Sequence, residues 1–490
     1  MAHGGEWVAS QIDGDAMAEA ATLAAGGDGR VADGADAGPA SGQGVFRAPR
    51  LSSGDLARLI VRGGAWSLLI SASGAALSLG VHLMLARVLG GEEYGRYVFA
   101  LAWMNVLLLV GKFELDTASV RFVGAYSGTN QWAFLRGFLT RSAQIVGLAS
   151  TGIMFASAIL IAVLMDRFER GMALTFLAAS LLLPVSAMAQ LKASALQGFK
   201  QVARSQSPSL VVRPIVFVLG IVILHYGLQR TVSAPVAILL QFGATTVALI
   251  LTVRFLNGVM PDEIRQATEA FDTRYWIKTA AGLLVISGGQ TILSTNADVL
   301  VVGSLLGPEL AGRYGAASQL ASAVSFGVSA ISFIALPFIA DLYARQAMTQ
   351  LQALIRHVAR LALILSVPVL LVLVIGARPV LSAFGPGFAD ASWLLILLGF
   401  DQLIGALFGI SGYLLVMTGH QVTAARVIIG CAVLNLVLTF ILTPVLGMMG
   451  AGLATTITTL VRSYLLVTRM RTALGLSLSP LPLGTQAPAQ

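Results

Sequence analysis

From about residue 56 onward the chain is a succession of long apolar runs, broken at short intervals by glycine, proline or charge. Twelve such segments are distinguishable, at about 65–88, 94–115, 142–165, 171–191, 207–226, 232–254, 276–304, 311–337, 358–377, 391–417, 424–444 and 450–469. A helix crosses roughly 30 Å of hydrocarbon with about 20 residues at about 1.5 Å each. The runs 142–165, 232–253 and 358–377 meet that length most clearly. Barrel strands would be about 10 residues long with alternating polarity. Inside lipid every backbone N–H and C=O must be bonded internally, and uninterrupted runs of this length achieve that as helices. The pattern predicts an all-α polytopic membrane protein with about twelve transmembrane helices.

Composition and charge agree. Hydrophobic residues make up 56% of the chain and charged residues 11%, against about 25% charged in an ordinary soluble domain. Lys and Arg outnumber Asp and Glu by 31 to 23. An even number of crossings puts both ends of the helical region on one side. If that side is the cytoplasm, the external loops hold only Arg87, Arg96, Arg167, Arg170, Arg230, Arg313 and Arg378, seven of the 31 basic residues. The excess positive charge therefore follows the rule that orients membrane proteins, and nucleic-acid binding need not be invoked. The single cysteine, Cys431, excludes an internal disulfide. The five histidines, His3, His82, His225, His357 and His420, show no metal-binding spacing. There is no GxxxxGK[ST] sequence to cradle a nucleotide, which argues against an ATP-driven pump.

Residues 1–55 are of another kind, with a stretch AEAATLAAGGDGRVADGADAGPASGQG that lacks bulky apolar side chains. Such a composition cannot offset ordering entropy and is expected to be a disordered cytoplasmic tail, without a signal peptide's basic start and apolar stretch. A DGD at 13–15 within it is a chance match to a glycosyltransferase metal motif. The remaining boundaries divide the chain into helices over 56–255, a polar cytoplasmic linker at 256–275, helices over 276–470, and a cytoplasmic tail at 471–490.

A short internal repeat supports a two-part organisation. LGGEEYGRY at 89–97 and LGPELAGRY at 306–314 share six of nine positions and lie 217 residues apart. Each follows the first helix of a six-helix half, on the same side of the membrane, as a parallel repeat requires. LQGFKQVAR at 196–204 and MTGHQVTAA at 417–425 form a weaker pair, with Gly198 and Gly419 offset by 221. Gly90 and Gly307 suit a positive φ at a helix end. Glu92 and Glu309 suit the start of the next helix, Gly95 and Gly312 a close backbone approach, and Tyr97 and Tyr314 the headgroup interface. These residues read as structural, or as an external gate.

At these residues the chain resembles the polysaccharide-exporter, Wzx-type branch of the multidrug/oligosaccharidyl-lipid/polysaccharide (MOP) superfamily. The resemblance rests on LARVLGGEEYGRY, TASVRFVGAY, NADVLVVGSLLGPELAGRYGAASQL, FGPGFADASWLLILLGFDQLIGALFGISGYLLVMTGH and LTPVLGMMGAGLATTI, in order from about residue 56 to 470. It implies a MATE-like fold of two parallel six-helix bundles around a central cavity, rocking between inward and outward access. It implies a flippase, not an enzyme, that moves polyprenyl-pyrophosphate-linked oligosaccharide across the bacterial inner membrane for surface polysaccharide synthesis. It implies membrane lipids, a polysaccharide polymerase and a chain-length regulator as partners, and no cofactor beyond a coupling cation, H+ or Na+. A multidrug cation antiporter, a lipid II flippase and a membrane-bound ligase or polymerase are the competing readings. A lipid II flippase usually has two further helices, and a ligase needs a large external loop that is missing here.

Ionisable residues within the spans are the candidates for function, because placing a charge there costs about 2.5–3.5 kcal/mol on insertion scales. Arg213 precedes Pro214 in the fifth segment, Asn296 and Asp298 lie in the seventh and Asp401 in the tenth. Arg121 follows the second segment, after Lys112, Glu114 and Asp116, and Lys278 enters the seventh. Arg121, Arg213 and Lys278 are candidates to bind pyrophosphate, with Asn296 beside the sugar. Asp298 and Asp401 are candidates for ion coupling or gating, and His82 is an outside candidate. The alternatives are snorkelling of Arg121 and Lys278 to the interface, and pairing of the carboxylates with neighbouring helices.

Overall fold

The computed structural model describes residues 53–476, apart from Phe168, Gly419 and most of 327–345. The 1–52 stretch, the end of the eighth apolar segment, Gly419 of the weaker repeat and the tail beyond Leu476 lie outside the described residues. What is described is helical throughout.

Eight of the described helical stretches are long and apolar enough to cross a membrane. The first, α1 (Ser53–Lys112), carries both of the first two apolar segments. They meet at Gly90, whose φ of 78° and ψ of 173° break the helix. Next come α2 (Leu115–Gly128), α3 (Trp132–Val163) and α4 (Arg170–Gly198). α5 (Val202–Gly227) and α6 (Ala234–Val259) follow. The seventh apolar segment is broken into α7 (Thr273–Ile292) and α8 (Thr295–Leu306), and α9 (Pro308–Ala321) begins the eighth. α10 (Met348–Ser382), α11 (Phe388–Val416), α12 (Gln421–Leu446) and α13 (Met448–Leu474) complete the chain. α13 is long enough to span, yet it is too polar to count among the eight.

The eight-helix figure differs from the twelve apolar segments for local reasons. Two segments share one kinked helix, one is split in two, one is incompletely described and one carries many Thr, Ser and Arg residues. The shared helix, the split one and the polar one follow from glycine, serine and threonine placement.

Small residues set the packing. α4 lies along α6, and Ala173, Ala179 and Ala187 of the first are buried, as are Ala234, Ala237, Ala244 and Ala248 of the second. Between helices in lipid, where apolar burial gives little drive, close backbone approach of this kind supplies the attraction. α12 lies along α13 in the same way. A Cβ on Gly450 would sit 2.2 Å from the Leu442 carbonyl oxygen, and one on Gly452 would sit 2.6 Å from Leu394.

The two repeats are in contact with one another. Gly90 and Gly307 adopt nearly the same left-sided conformation, with φ of 78° and 96°. A Cβ on Gly95 would fall 2.1 Å from the Pro308 carbonyl oxygen, and one on Gly312 would fall 2.7 Å from Gly95 Cα. Glycine is required at both positions for the backbones to meet. Each repeat also builds the same arginine latch. Arg96 donates to Glu92 and Glu169, both at 2.6 Å, and to Glu93. Arg313 donates to Glu309 at 2.6 Å and to Asp390 at 3.0 Å. Glu169 immediately precedes α4 and Asp390 lies in the first turn of α11, and their offset of 221 residues matches that of the weaker repeat pair. Gly171 and Gly387 leave room for the two guanidinium groups, with Cβ clearances of 2.6 and 2.5 Å. Arg87 Nε bonds the Ala383 carbonyl at 2.6 Å, and Tyr94 meets Phe388 edge-on. The tyrosines depart from expectation: Tyr97 and Tyr314 are buried inside the protein, at 2% and 0% exposure, and their rings do not face its surroundings. Their hydroxyls are spent on polar groups inside.

The linker is also more structured than its polarity implies. A short helix at Asp262–Gln266 leads into a stretch whose Ala270 N–H bonds Ala133 at 3.1 Å. Arg136 ties down the Arg265 and Ala267 carbonyls. Trp276, at the start of α7, is buried and donates to Tyr126 at 3.0 Å.

Candidate functional site

Arg213 sits where α5 changes its winding. The turn Pro208–Val212 is π-helical, and Pro214 has no N–H to return to the preceding turn. Such bulges re-aim side chains and recur at functional sites. Arg213 lines a cavity of about 270 Å³ together with Asn105, Gln190, Ser209, Gln241 and Thr245, contributed by α1, α4, α5 and α6. Among the described residues no carboxylate forms an ion pair with its guanidinium, and Tyr97 is the ionisable side chain that acts on it electrostatically. Tyr97 donates to Gln241, and its ring stacks on Phe217, so the cavity wall is fixed. Five N–H donors with no resident anion, faced by amides and hydroxyls, make a site for a large anionic or polyhydroxylated group.

Asn296 joins this region to the helices of the second half. Asn105 Nδ2 donates to Asn296 Oδ1 at 3.1 Å. Asn296 is therefore placed beside the Arg213 cavity, although it does not itself line it.

Two residues along α8 the chemistry reverses sign. Asp298 is 2% exposed. Its Oδ2 accepts from Tyr314 at 2.8 Å and from Thr455 at 2.9 Å, while Asn435 donates to Thr455 at 3.3 Å. Its Oδ1 is buried without a hydrogen-bond partner. Asp401, buried on α11, lies near enough to act on Asp298 electrostatically. Thr459 and Arg462 of α13 stand beside Asp401, whose own Oδ1 is also unpartnered. A buried carboxylate oxygen without a donor is costly unless a proton or cation neutralises it. Threonine, tyrosine and carboxylate oxygens of this kind suit a proton or a hard cation.

Arg121 and Lys278 are placed differently. Both side chains are exposed, and neither lines the Arg213 cavity. The acidic cluster before Arg121 is partly paired: Lys112 bridges Asp116 at 2.6 Å and Glu114 at 3.4 Å, Thr117 donates to Glu114, and Asp116 Oδ1 is buried without a partner. His82 is engaged with the Tyr94 hydroxyl at 3.0 Å.

Sequence reasoning from charge passed over Asn105, Gln190, Gln241, Asn435 and Thr455. Asn105, Gln241 and Asn435 each stand as a lone amide in an apolar run, and that isolation was the available signal. Which amides would meet one another depends on helix rotation.

A second, larger cavity of about 670 Å³ is almost wholly apolar, with Phe99, Trp103, Ile153, Leu160 and Phe176 among its walls.

The helical architecture defines a multi-pass membrane protein of MATE-like fold. A multidrug-resistance MATE transporter in its inward-facing conformation superposes with a TM-score of 0.65 at 13% identity, covering 84% of this chain and 98% of that one. The lipid II flippase MurJ, in an inward closed conformation, superposes with a TM-score of 0.62 at 15% identity, covering 82% and 87%. Residues 60–343 match the family described as polysaccharide biosynthesis protein, and the chain belongs to that family. It is also 22% identical, over 394 residues, to a probable low-salt glycan biosynthesis flippase, Agl15, of Haloferax volcanii. That alignment covers 80% of this chain and 79% of the relative. The solved structures that share this fold are those of transporters.

Proposed function

We propose that the protein is a flippase that carries polyprenyl-pyrophosphate-linked oligosaccharide across the bacterial inner membrane, for O-antigen, capsule or exopolysaccharide synthesis. The observation that carries this reading is Arg213: a guanidinium without a carboxylate partner, facing a cavity walled by amides and hydroxyls inside the spans. A fork of N–H donors matches a pyrophosphate. The amides match sugar hydroxyls. A multidrug transporter for cations would place negative charge there instead. Lipid II flipping uses the same head-group chemistry and is the second reading, favoured by the structural likeness to MurJ.

The chain is read as twelve crossings in two parallel six-helix halves, 56–255 and 276–470, with both termini cytoplasmic. The matched latches of Arg96 and Arg313 support the repeat, and the meeting of Gly95 with Pro308 supports a closed external gate. Alternating access would part this seam. Arg121 and Lys278, exposed near the cytoplasmic ends of their helices, would attract the pyrophosphate before it reaches Arg213. Asp298 and Asp401 would take a coupling H+ or Na+, with Asp298 Oδ1 as the open ligand position. A polymerase and a chain-length regulator would consume the cargo on the far side.

The test is deletion of the gene, followed by fractionation of lipid-linked intermediates. Accumulation of the linked oligosaccharide in the inner leaflet, with loss of surface polysaccharide, is the expected result. Unchanged polysaccharide with no intermediate defeats the proposal, and rescue of a strain depleted of its lipid II flippase selects the second reading.

A further inference from the structure

The 670 Å³ cavity lies along the seam between the halves, on the side of the repeats. α1, α3 and α4 form most of its wall, and Gly303, Ser304 and Pro308 close it from the other half. Phe99 lies so near that a Cβ on Gly303 would be 2.3 Å from its ring. The cavity is open at the protein surface, where Trp103 is 40% and Leu160 is 59% exposed. Its volume is that of a small-molecule site, for which about 300–1,000 Å³ is usual.

Its chemistry is poorly matched to a sugar, with exposed Ser304 as the one uncommitted hydroxyl among the described residues of its wall. Ser157 and Ser180 are among its few polar lining residues, and they are already committed: Ser157 donates to Ser180 Oγ or the Met154 carbonyl, and Ser180 donates to the Phe176 carbonyl. A hydroxyl transferred here from water would lose most of its hydrogen bonds without replacement. A hydrocarbon chain loses nothing. The cavity adjoins the polar one, with Met104 a wall of both. An amphiphile with an anionic head at Arg213 would therefore have its chain led past Met104 into this groove.

We propose that the groove between α1, α3, α4 and the α8–α9 junction binds the polyprenyl chain of the cargo while the head occupies the Arg213 cavity. This rests on the flippase reading and adds the place of the lipid tail. The groove stays at the protein–bilayer boundary, so the chain remains in a hydrocarbon environment throughout, and the protein has only to move the head.

The test uses the full chain in nanodiscs, with a long-chain polyprenyl phosphate carrying a diazirine on its chain. A phosphatidylglycerol with the same group on an acyl chain serves as comparison. The prenyl probe is expected to label Trp103, Ile153 and Leu160, and unlabelled polyprenyl phosphate, but not excess phosphatidylglycerol, is expected to displace it. Ala156→Trp, which fills the groove from an exposed lining position, should lower that labelling about tenfold. Leu160→Trp provides a second variant if the first is poorly produced. Equal labelling by both probes with no competition would assign the groove to bulk lipid and overturn the proposal. Export abolished by Arg213→Ala but unaffected by both groove variants, with prenyl labelling also unchanged in them, would overturn the groove alone. Export unaffected by Arg213→Ala, with no prenyl labelling anywhere on the protein, would overturn the flippase reading as well.

Discussion

The pocket around Arg213 and the pocket around Asp298 are built from similar uncharged groups, and they use them in opposite ways. At Arg213 the amides of Asn105, Gln190 and Gln241 face an open volume with the cation at its edge. At Asp298 the hydroxyls of Tyr314 and Thr455 are packed onto the carboxylate, occupying one oxygen and leaving the other bare. Donors directed into empty space suit a bulky ligand that arrives and leaves. Donors wrapped round a carboxylate suit something as small as a proton or an alkali ion. In the proposed flippase the first pocket takes the cargo and the second the coupling ion, with the Asn105–Asn296 bond running between them.

The strongest way to break this contrast is at Arg213. Arg213→Ala should lower flipping in proteoliposomes by about a hundredfold, near 2.7 kcal/mol of lost transition-state binding, while Arg213→Lys keeps charge but loses the fork and recovers part of it. Near-normal flipping by Arg213→Ala would leave the first pocket without a cargo role. Asp298→Asn comes next. It preserves an acceptor for Tyr314 and Thr455 but removes the charge, so flipping should fall about tenfold and lose its response to an imposed Na+ or pH gradient. A variant that still follows the gradient would detach coupling from this carboxylate. Asp401→Asn should show the same change at about threefold, because its charge acts beside Asp298 and not in place of it. Equal or larger loss than in Asp298→Asn would reverse their order. The smallest effect is expected for Asn105→Leu, which removes one neutral hydrogen bond between the pockets at a cost of about 0.5 kcal/mol, a roughly twofold change. Flipping should then fall while gradient response is kept. A loss of coupling would show that the two pockets communicate through that bond.

The repeats carry a separate check on the seam. Gly95→Ala should destabilise the closed state by about 1–3 kcal/mol, read as a lower melting temperature, because its Cβ has no room against Pro308. Gly90 lies in open space, so its substitution would be costly through φ alone.

Much of this was legible before any coordinates. The apolar runs determined helices in a membrane, because hydrocarbon permits no other backbone solution for stretches of that length. The repeated LG…E…GRY determined that two parts of the chain are built alike, and the glycines within it announced a sharp turn and a close approach. Arg213, Asp298 and Asp401 stood out because charge in such a run needs a reason. Tertiary structure decided the remainder. Tyr97 and Tyr314 look like interfacial aromatics in sequence and become pocket hydrogen-bond donors, because the rotation of each helix after its glycine turns them inward. Arg121 and Lys278 resemble Arg213 in type, yet the cavity admits only Arg213. Asn105, Gln241 and Thr455 acquire meaning only through neighbours more than a hundred residues away. Sequence registers which residues are costly in lipid; which of them share a pocket depends on helix rotation and packing distance, and no local pattern encodes either.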